Sequence, residues 1–126
     1  MPLEMTFQRQ QLGLAGEDMA RAELERLGYQ ILDRRYRSRF GEIDLIARDG
    51  STVVFVEVKT KTDGRFGDPA EMVTAQKQRR LVSMAEEYVS GHQLHASPCR
   101  FDVVAIDASI APAKITVYQD AFRPGW

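Results

Sequence analysis

The stretch Gly41-Glu42-Ile43-Asp44-Leu45-Ile46-Ala47-Arg48-Asp49-Gly50-Ser51-Thr52-Val53-Val54-Phe55-Val56-Glu57-Val58-Lys59-Thr60-Lys61 decides the fold. Two runs rich in aliphatic and β-branched residues flank Asp49-Gly50-Ser51, which reads as a β-hairpin. Residues two apart on a strand share a face. Val53, Phe55, Glu57 and Lys59 therefore project one way, and Val54, Val56 and Val58 the other. Both faces begin apolar, as in a central strand, and Glu57 and Lys59 then break the pattern together. On the preceding strand Glu42, Asp44 and Ile46 share a face opposite Ile43 and Leu45. A hairpin loop of two or four residues sets Asp44 opposite Phe55 or Glu57, on the face of Glu57 and Lys59, whereas a loop of three would separate them. The Asp-Gly pair favours two.

Outward from the hairpin, residues 1–11 are polar and aperiodic and read as a flexible arm, followed by a single domain over 12–126. A helix is expected from Leu12 to Leu27, with Ala20, Leu24 and Leu27 buried and Gly28 as terminator. A strand follows near Tyr29–Arg35. Beyond the hairpin, Asp68-Pro69-Ala70-Glu71 suggests a capped helix start, with the helix continuing to Ser90. Strands at Arg100–Asp107 and Lys114–Tyr118 complete an α/β chain with a mixed sheet of five strands flanked by helices.

The chain has 126 residues, 44% hydrophobic and 28% charged, the profile of one packed domain. Its formal net charge of −1 argues against a protein that coats nucleic acid unselectively. No apolar run approaches the ~20 residues of a membrane span, and the first residues lack a secretory pattern. With a single cysteine, Cys99, an internal disulfide and a zinc cluster are both excluded. These features point to a cytoplasmic protein.

Two carboxylates converging in a half-buried site repel one another, and a divalent cation relieves that repulsion. Magnesium, with manganese as a substitute, suits an all-oxygen set of Asp44, Glu57 and a strand carbonyl such as that of Val58. Such a metal polarises a phosphoryl oxygen and activates water. Beside it, the Lys59 ammonium is suited to orienting water or stabilising the charge on phosphorus.

At these residues Gly41-Glu42-Ile43-Asp44-Leu45-Ile46 and Phe55-Val56-Glu57-Val58-Lys59 resemble the PD-(D/E)xK nuclease motif, with Gly-Glu-Ile-Asp in place of the usual Pro-Asp. With Gly16-Glu17 and Gln76-Lys77, nearly the whole chain resembles the YraN family of nuclease-like proteins, of the UPF0102 type, distantly similar to Holliday-junction resolvases. The resemblance implies a restriction-endonuclease-like fold and a metal-dependent endonuclease acting on nucleic acid, DNA first of all, including branched DNA. It also implies Asp44 and Glu57 as metal ligands, Lys59 as the catalytic lysine and Glu17 as an additional acid. Because a four-way junction is two-fold symmetric, it implies a homodimer as well.

Other readings stand beside these. Asp44, Glu57 and Lys59 also suit a structural ion-pair cluster, and Glu17 also suits the dipole of its helix. Arg34, Arg35, Arg37 and Arg39, in a basic group around Tyr36, and Lys77, Arg79 and Arg80, in a second group, are candidate phosphate contacts or solvated faces, with Arg37, Arg39, Lys77 and Arg80 the foremost. Lys77 falls on the apolar stripe of its helix, where it reaches the acids or snorkels past them, and neighbouring Gln76 shares that ambiguity. Arg65 and Phe66, in the glycine-bounded loop after the hairpin, read as substrate contacts or as a loop with an apolar anchor. Asp102, between apolar strand positions, and Glu42, as the partner of an arginine, read as structural. A non-catalytic nucleic-acid-binding or adaptor protein that keeps the fold is the alternative function.

Overall fold

A computed structural model describes residues 3–124, and the side chains of residues 12–124. The hairpin forms as β2 (Gly41–Asp49) and β3 (Thr52–Lys61), closing at Asp49↔Thr52 around Gly50-Ser51, with Gly50 at a φ of 60°. β1 (Gln30–Ser38) pairs antiparallel with β2 on its far side and forms one edge of the sheet. Helix α2 (Ala75–Gly91) is a crossover that returns the chain to β4 (Cys99–Asp107), parallel to β3. β5 (Lys114–Tyr118) is antiparallel to β4, so the order is β1-β2-β3-β4-β5. This is the mixed five-stranded α/β fold of the restriction-endonuclease-like class.

The central position of β3 follows from its two apolar faces. Val54 and Val56 pack with Ala20 and Leu24 of α1 (Leu3–Arg26), while Val53 and Phe55 pack with Leu81, Met84, Ala85 and Tyr88 of α2. A helix thus covers each face. Among the described residues no helix is long and apolar enough to cross a membrane.

The first helix begins at Leu3, so residues 3–11, expected as an arm, are helical; Met1 and Pro2 lie outside the described residues. Glu4, Met5, Gln8 and Arg9 are good helix formers, and lack of apolar period does not oppose a helix. At its other end Tyr29 N–H reaches the Leu24 carbonyl and Gly28 N–H that of Glu25, a closing turn that Gly28 permits with a φ of 95°. That turn buries Tyr29 and leaves Leu27 46% exposed, so Leu27 is not part of the buried stripe.

The start of α2 also differs from expectation. Pro69–Glu71 form a single 3-10 turn, Asp68 makes no side-chain cap, and Met72 and Val73 bury themselves before the helix starts. Thr74 is the cap instead, accepting the Lys77 N–H at 3.2 Å.

Strict alternation fails on β2. Ile43 and Ile46 join the core beneath α2, whereas Leu45 and Ala47 join the one beneath α1. The facing strand is irregular too: its register shifts between Ile31 and Asp33, and Arg35 adopts a φ of 53°. The last pair of the β2–β3 ladder is Leu45↔Val56. Asp44 sits just past that break.

Candidate functional site

Where β2 leaves β3, the backbone of Val58 has lost its ladder partner. Asp44 supplies one: its Oδ2 accepts the Val58 N–H at 2.7 Å. Continued by one step, the observed register sets Asp44 across from Glu57, in the gap between the strands. Glu17 arrives from α1. A Cβ on buried Gly16 would lie 2.3 Å from Thr60 Oγ1, so only glycine lets the helix come this near to β3. Glu42 completes the group: one carboxylate oxygen from each of Glu17, Glu42 and Asp44 lies within 4.8 Å of the others.

An open hollow of about 350 Å³ is lined by Glu17, Asp44, Val58, Lys59, Thr60, Leu12 and Gly13. Four of the residues singled out from sequence thus meet there. Lys59 also borders a smaller hollow of about 140 Å³ with Phe66, Glu71 and Met72. Glu57 is close by but deeper. Its side chain is 5% exposed, Oε1 takes a bond from Lys77 Nζ, and Oε2 is buried with no partner among the described residues.

These acids strain one another. Burial, and next the charge of Glu57, pushes the Asp44 carboxyl up to about 7; Glu17 adds to the rise, while the Val58 N–H and Lys77 oppose it. Asp44 therefore exchanges its proton near neutrality, at a point where several oxygens converge.

Two arginines of β1 complete the cluster. Arg35 Nε donates to Glu17 at 2.7 Å, and Arg37 Nε to Glu42 at 3.1 Å. The sequence places Arg35 in the basic group around Tyr36 but does not link it to Glu17, and it marks Glu42 as the partner of an arginine, which Arg37 is. What it leaves out is that Glu42 joins the acids; Arg37 and Glu42 are direct cross-strand partners of β1 and β2. The remaining basic candidates lie outside the hollow. Arg39 stacks over Phe40 at 4.9 Å, Arg65 and Arg80 are exposed, and Gln76 is exposed at the start of α2. Phe66 packs partly against the core under α2 and anchors its loop.

Asp102 belongs to a different network. It is 1% exposed and takes two bonds from Arg100 at 2.8 and 3.0 Å, one from the Tyr29 hydroxyl at 3.2 Å and one from the Asp120 N–H at 3.0 Å. Arg100 also bonds Asp49 next to the hairpin turn, so this lock ties the turn to β4.

Comparison with known proteins agrees with this chain-wide pattern. The model of the uncharacterised protein family UPF0102 matches residues 16–106, from the close-packed Gly16 in α1 to Ile106 in β4. A UPF0102 protein of Rhodococcus opacus (strain B4) is 48% identical over 112 residues, covering 88% of this chain and 95% of its own. One from Syntrophus aciditrophicus (strain SB) is 45% identical over 111 residues, covering 88% and 87%. One from Symbiobacterium thermophilum is 51% identical over 96 residues, covering 76% and 81%. With the match running through every element that builds the cluster, the chain belongs to the UPF0102 family.

Proposed function

We propose that this protein is a divalent-metal-dependent nuclease that hydrolyses nucleic-acid phosphodiester bonds. The observation that carries the reading is the cluster itself: the oxygens of Glu17, Glu42 and Asp44 gathered at a strand break, with the bare, buried Oε2 of Glu57 beside Asp44. The donor set is all oxygen, which fits magnesium or manganese and not a soft metal. Asp44 and Glu57 would hold the ion, with the Val58 carbonyl and the outer acids Glu17 and Glu42 as further donors. Bound there, it supplies Lewis acidity and a water of lowered pKa.

The chain's own residues do the rest. The Val58 N–H fixes the Asp44 carboxylate in place, and Gly16 allows Glu17 to approach it. Lys59, lining the same hollow, presents its ammonium to the anionic phosphate and to the charge that grows on it during displacement. Exposed Arg65, Arg79 and Arg80 add attraction for the backbone of a polyanion. The reading extends to a cytoplasmic enzyme acting on DNA, with branched forms among its substrates.

The test incubates wild type, Asp44→Ala and Glu57→Ala with duplex, single-stranded, flap and four-way-junction DNA in magnesium or manganese. Cleavage that drops by about 10²-fold or more in both variants is expected, the scale for removing a group that stabilises transition-state charge. A wild type that binds these substrates but cuts none of them would mark the protein as a non-catalytic binder instead. Equal cleavage in the variants would sink the assignment of the site.

A further inference from the structure

Lys77 is placed against the electrostatic preference of its own helix. It is the third residue after the Thr74 cap of α2, in a first turn that contains no acid. The positive end of the helix dipole disfavours a cation there. Its ammonium is nevertheless held, on Glu57 Oε1 of β3. The pair is lopsided: the Glu57 side chain is 5% exposed and that of Lys77 39%, so an acid sunk in the sheet is met by a cation reaching in from the solvent side. The second oxygen of Glu57 has no partner among the described residues.

The charges around it can be followed residue by residue. Among the described residues Glu17 is paired with Arg35, Glu42 with Arg37 and Glu57 with Lys77, while Asp44 accepts the Val58 N–H. Four carboxylates are matched by those three paired cations and by Lys59, which lines the same hollow. A divalent ion added to that set meets no uncompensated negative charge unless a cation leaves. Lys77, reaching in from the solvent side to Glu57, is the cation that it replaces. The departing ammonium stays at the start of α2 beside exposed Gln76, where the helix terminus itself favours a phosphate.

Resting on the nuclease reading above, we infer that Lys77 is the resident counter-ion of Glu57, giving way to the divalent cation and then pairing with a phosphate of the nucleic acid. Metal loading and capture of the polyanion are thereby linked, each favouring the other. Lys77 acts as a positioning residue, whose first role is to hold the Glu57 carboxylate in place until the metal arrives.

The experiment measures Mn²⁺ binding by electron paramagnetic resonance in the absence of nucleic acid, for wild type, Lys77→Met and Lys77→Arg, each checked for folding by thermal melting. A parallel measurement follows duplex DNA binding by fluorescence anisotropy in Ca²⁺ over a range of salt. Lys77→Met is expected to bind Mn²⁺ at least about fivefold more tightly, the lower end of common coupling factors. Lys77→Arg should stay near wild type. The same Met variant should bind DNA more weakly, with a salt slope reduced by about one. A lysine that merely props up the fold would weaken both. Mn²⁺ affinity unchanged or lowered in a folded Lys77→Met overturns the inference and leaves the nuclease reading standing. Failure of both wild type and Lys77→Met to bind Mn²⁺ overturns the two together. If Lys77→Met does not fold, Lys77→Gln carries the same expectations.

Discussion

The Asp44 carboxylate accepts the Val58 N–H at 2.7 Å, one residue beyond the last pair of the β2–β3 ladder. A side chain there takes over the work of a strand carbonyl. The bond both closes the frayed end of the ladder and points a carboxylate into the gap, so the fold and the site share a single contact. Because Asp44 is buried beside another acid, holding it charged is unfavourable, and that makes the contact sensitive to pH and to cations.

The pH dependence has a definite sign. Asp44 is raised from 3.8 to about 7 in the folded protein, so the native state holds a proton that the unfolded chain releases over that window. Stability without metal should fall as pH rises from about 4 to 7, by up to about 1.4 kcal/mol per pH unit from this group. Urea unfolding of wild type and Asp44→Asn near pH 5 and pH 7.5 checks it. The wild type should lose more stability than the variant; parallel losses would mean that Asp44 is not the group responsible.

Magnesium should reverse that loss. A carboxylate ligates the metal proposed for this site and a carboxylic acid does not, so Mg²⁺ should stabilise the wild type near pH 7.5 and much less near pH 5. At roughly a hundredfold excess over Kd the gain is about 2.7 kcal/mol. Differential scanning calorimetry of wild type and Asp44→Asn would register it as a higher Tm in the wild type alone.

The approach of α1 to β3 is equally testable. Gly16→Ala puts a methyl 2.3 Å from Thr60 Oγ1. Crowding of this kind costs about 1–3 kcal/mol, and the better helix propensity of alanine offsets about 1 kcal/mol of it. The single variant should therefore be less stable than wild type. Adding Thr60→Ala should recover much of the loss, a coupling that a double-mutant cycle in urea measures directly.

Remote from the acids, the lock around Asp102 should matter for stability and not for chemistry. Asp102→Ala removes two bonds of the Arg100 guanidinium, leaving it those to Asp49 and the Tyr29 hydroxyl, and takes away the partner of Asp120 N–H. Loss of buried hydrogen bonds to a charged group costs about 1.5–3 kcal/mol. The melting temperature should drop well below that of wild type, while cleavage per folded molecule at low temperature should change little.

Much of this architecture can be read from residue order because each cue is local. Val53 to Val58 declare a central strand by being apolar on both sides, and the Asp49-Gly50-Ser51 turn determines which acids face each other. What escapes local reading depends on contacts between distant elements. Ile43 and Leu45 separate onto opposite cores because β2 breaks from β3 beside an irregular β1, and no period in the sequence announces Arg35 at a φ of 53°. Asp68 has the right neighbours for a cap, yet burial of Met72 and Val73 delays the helix to Thr74. The site shows the same division. Asp44, Glu57 and Lys59 stand out as charges in apolar strands, whereas Arg35, and Glu42 as a member of the cluster, become visible only once the hairpin register places β1 alongside.

The outer border of the sheet along β1 carries Arg34, Arg35 and Arg37 in one short run. Another chain laying a strand alongside would meet a bent edge, since the register shifts between Ile31 and Asp33 and Arg35 stands at a φ of 53° where its side chain turns in to Glu17. The residue that neutralises Glu17 inside the molecule therefore also guards its flank, discouraging the runaway strand-on-strand stacking to which an unpaired border is prone.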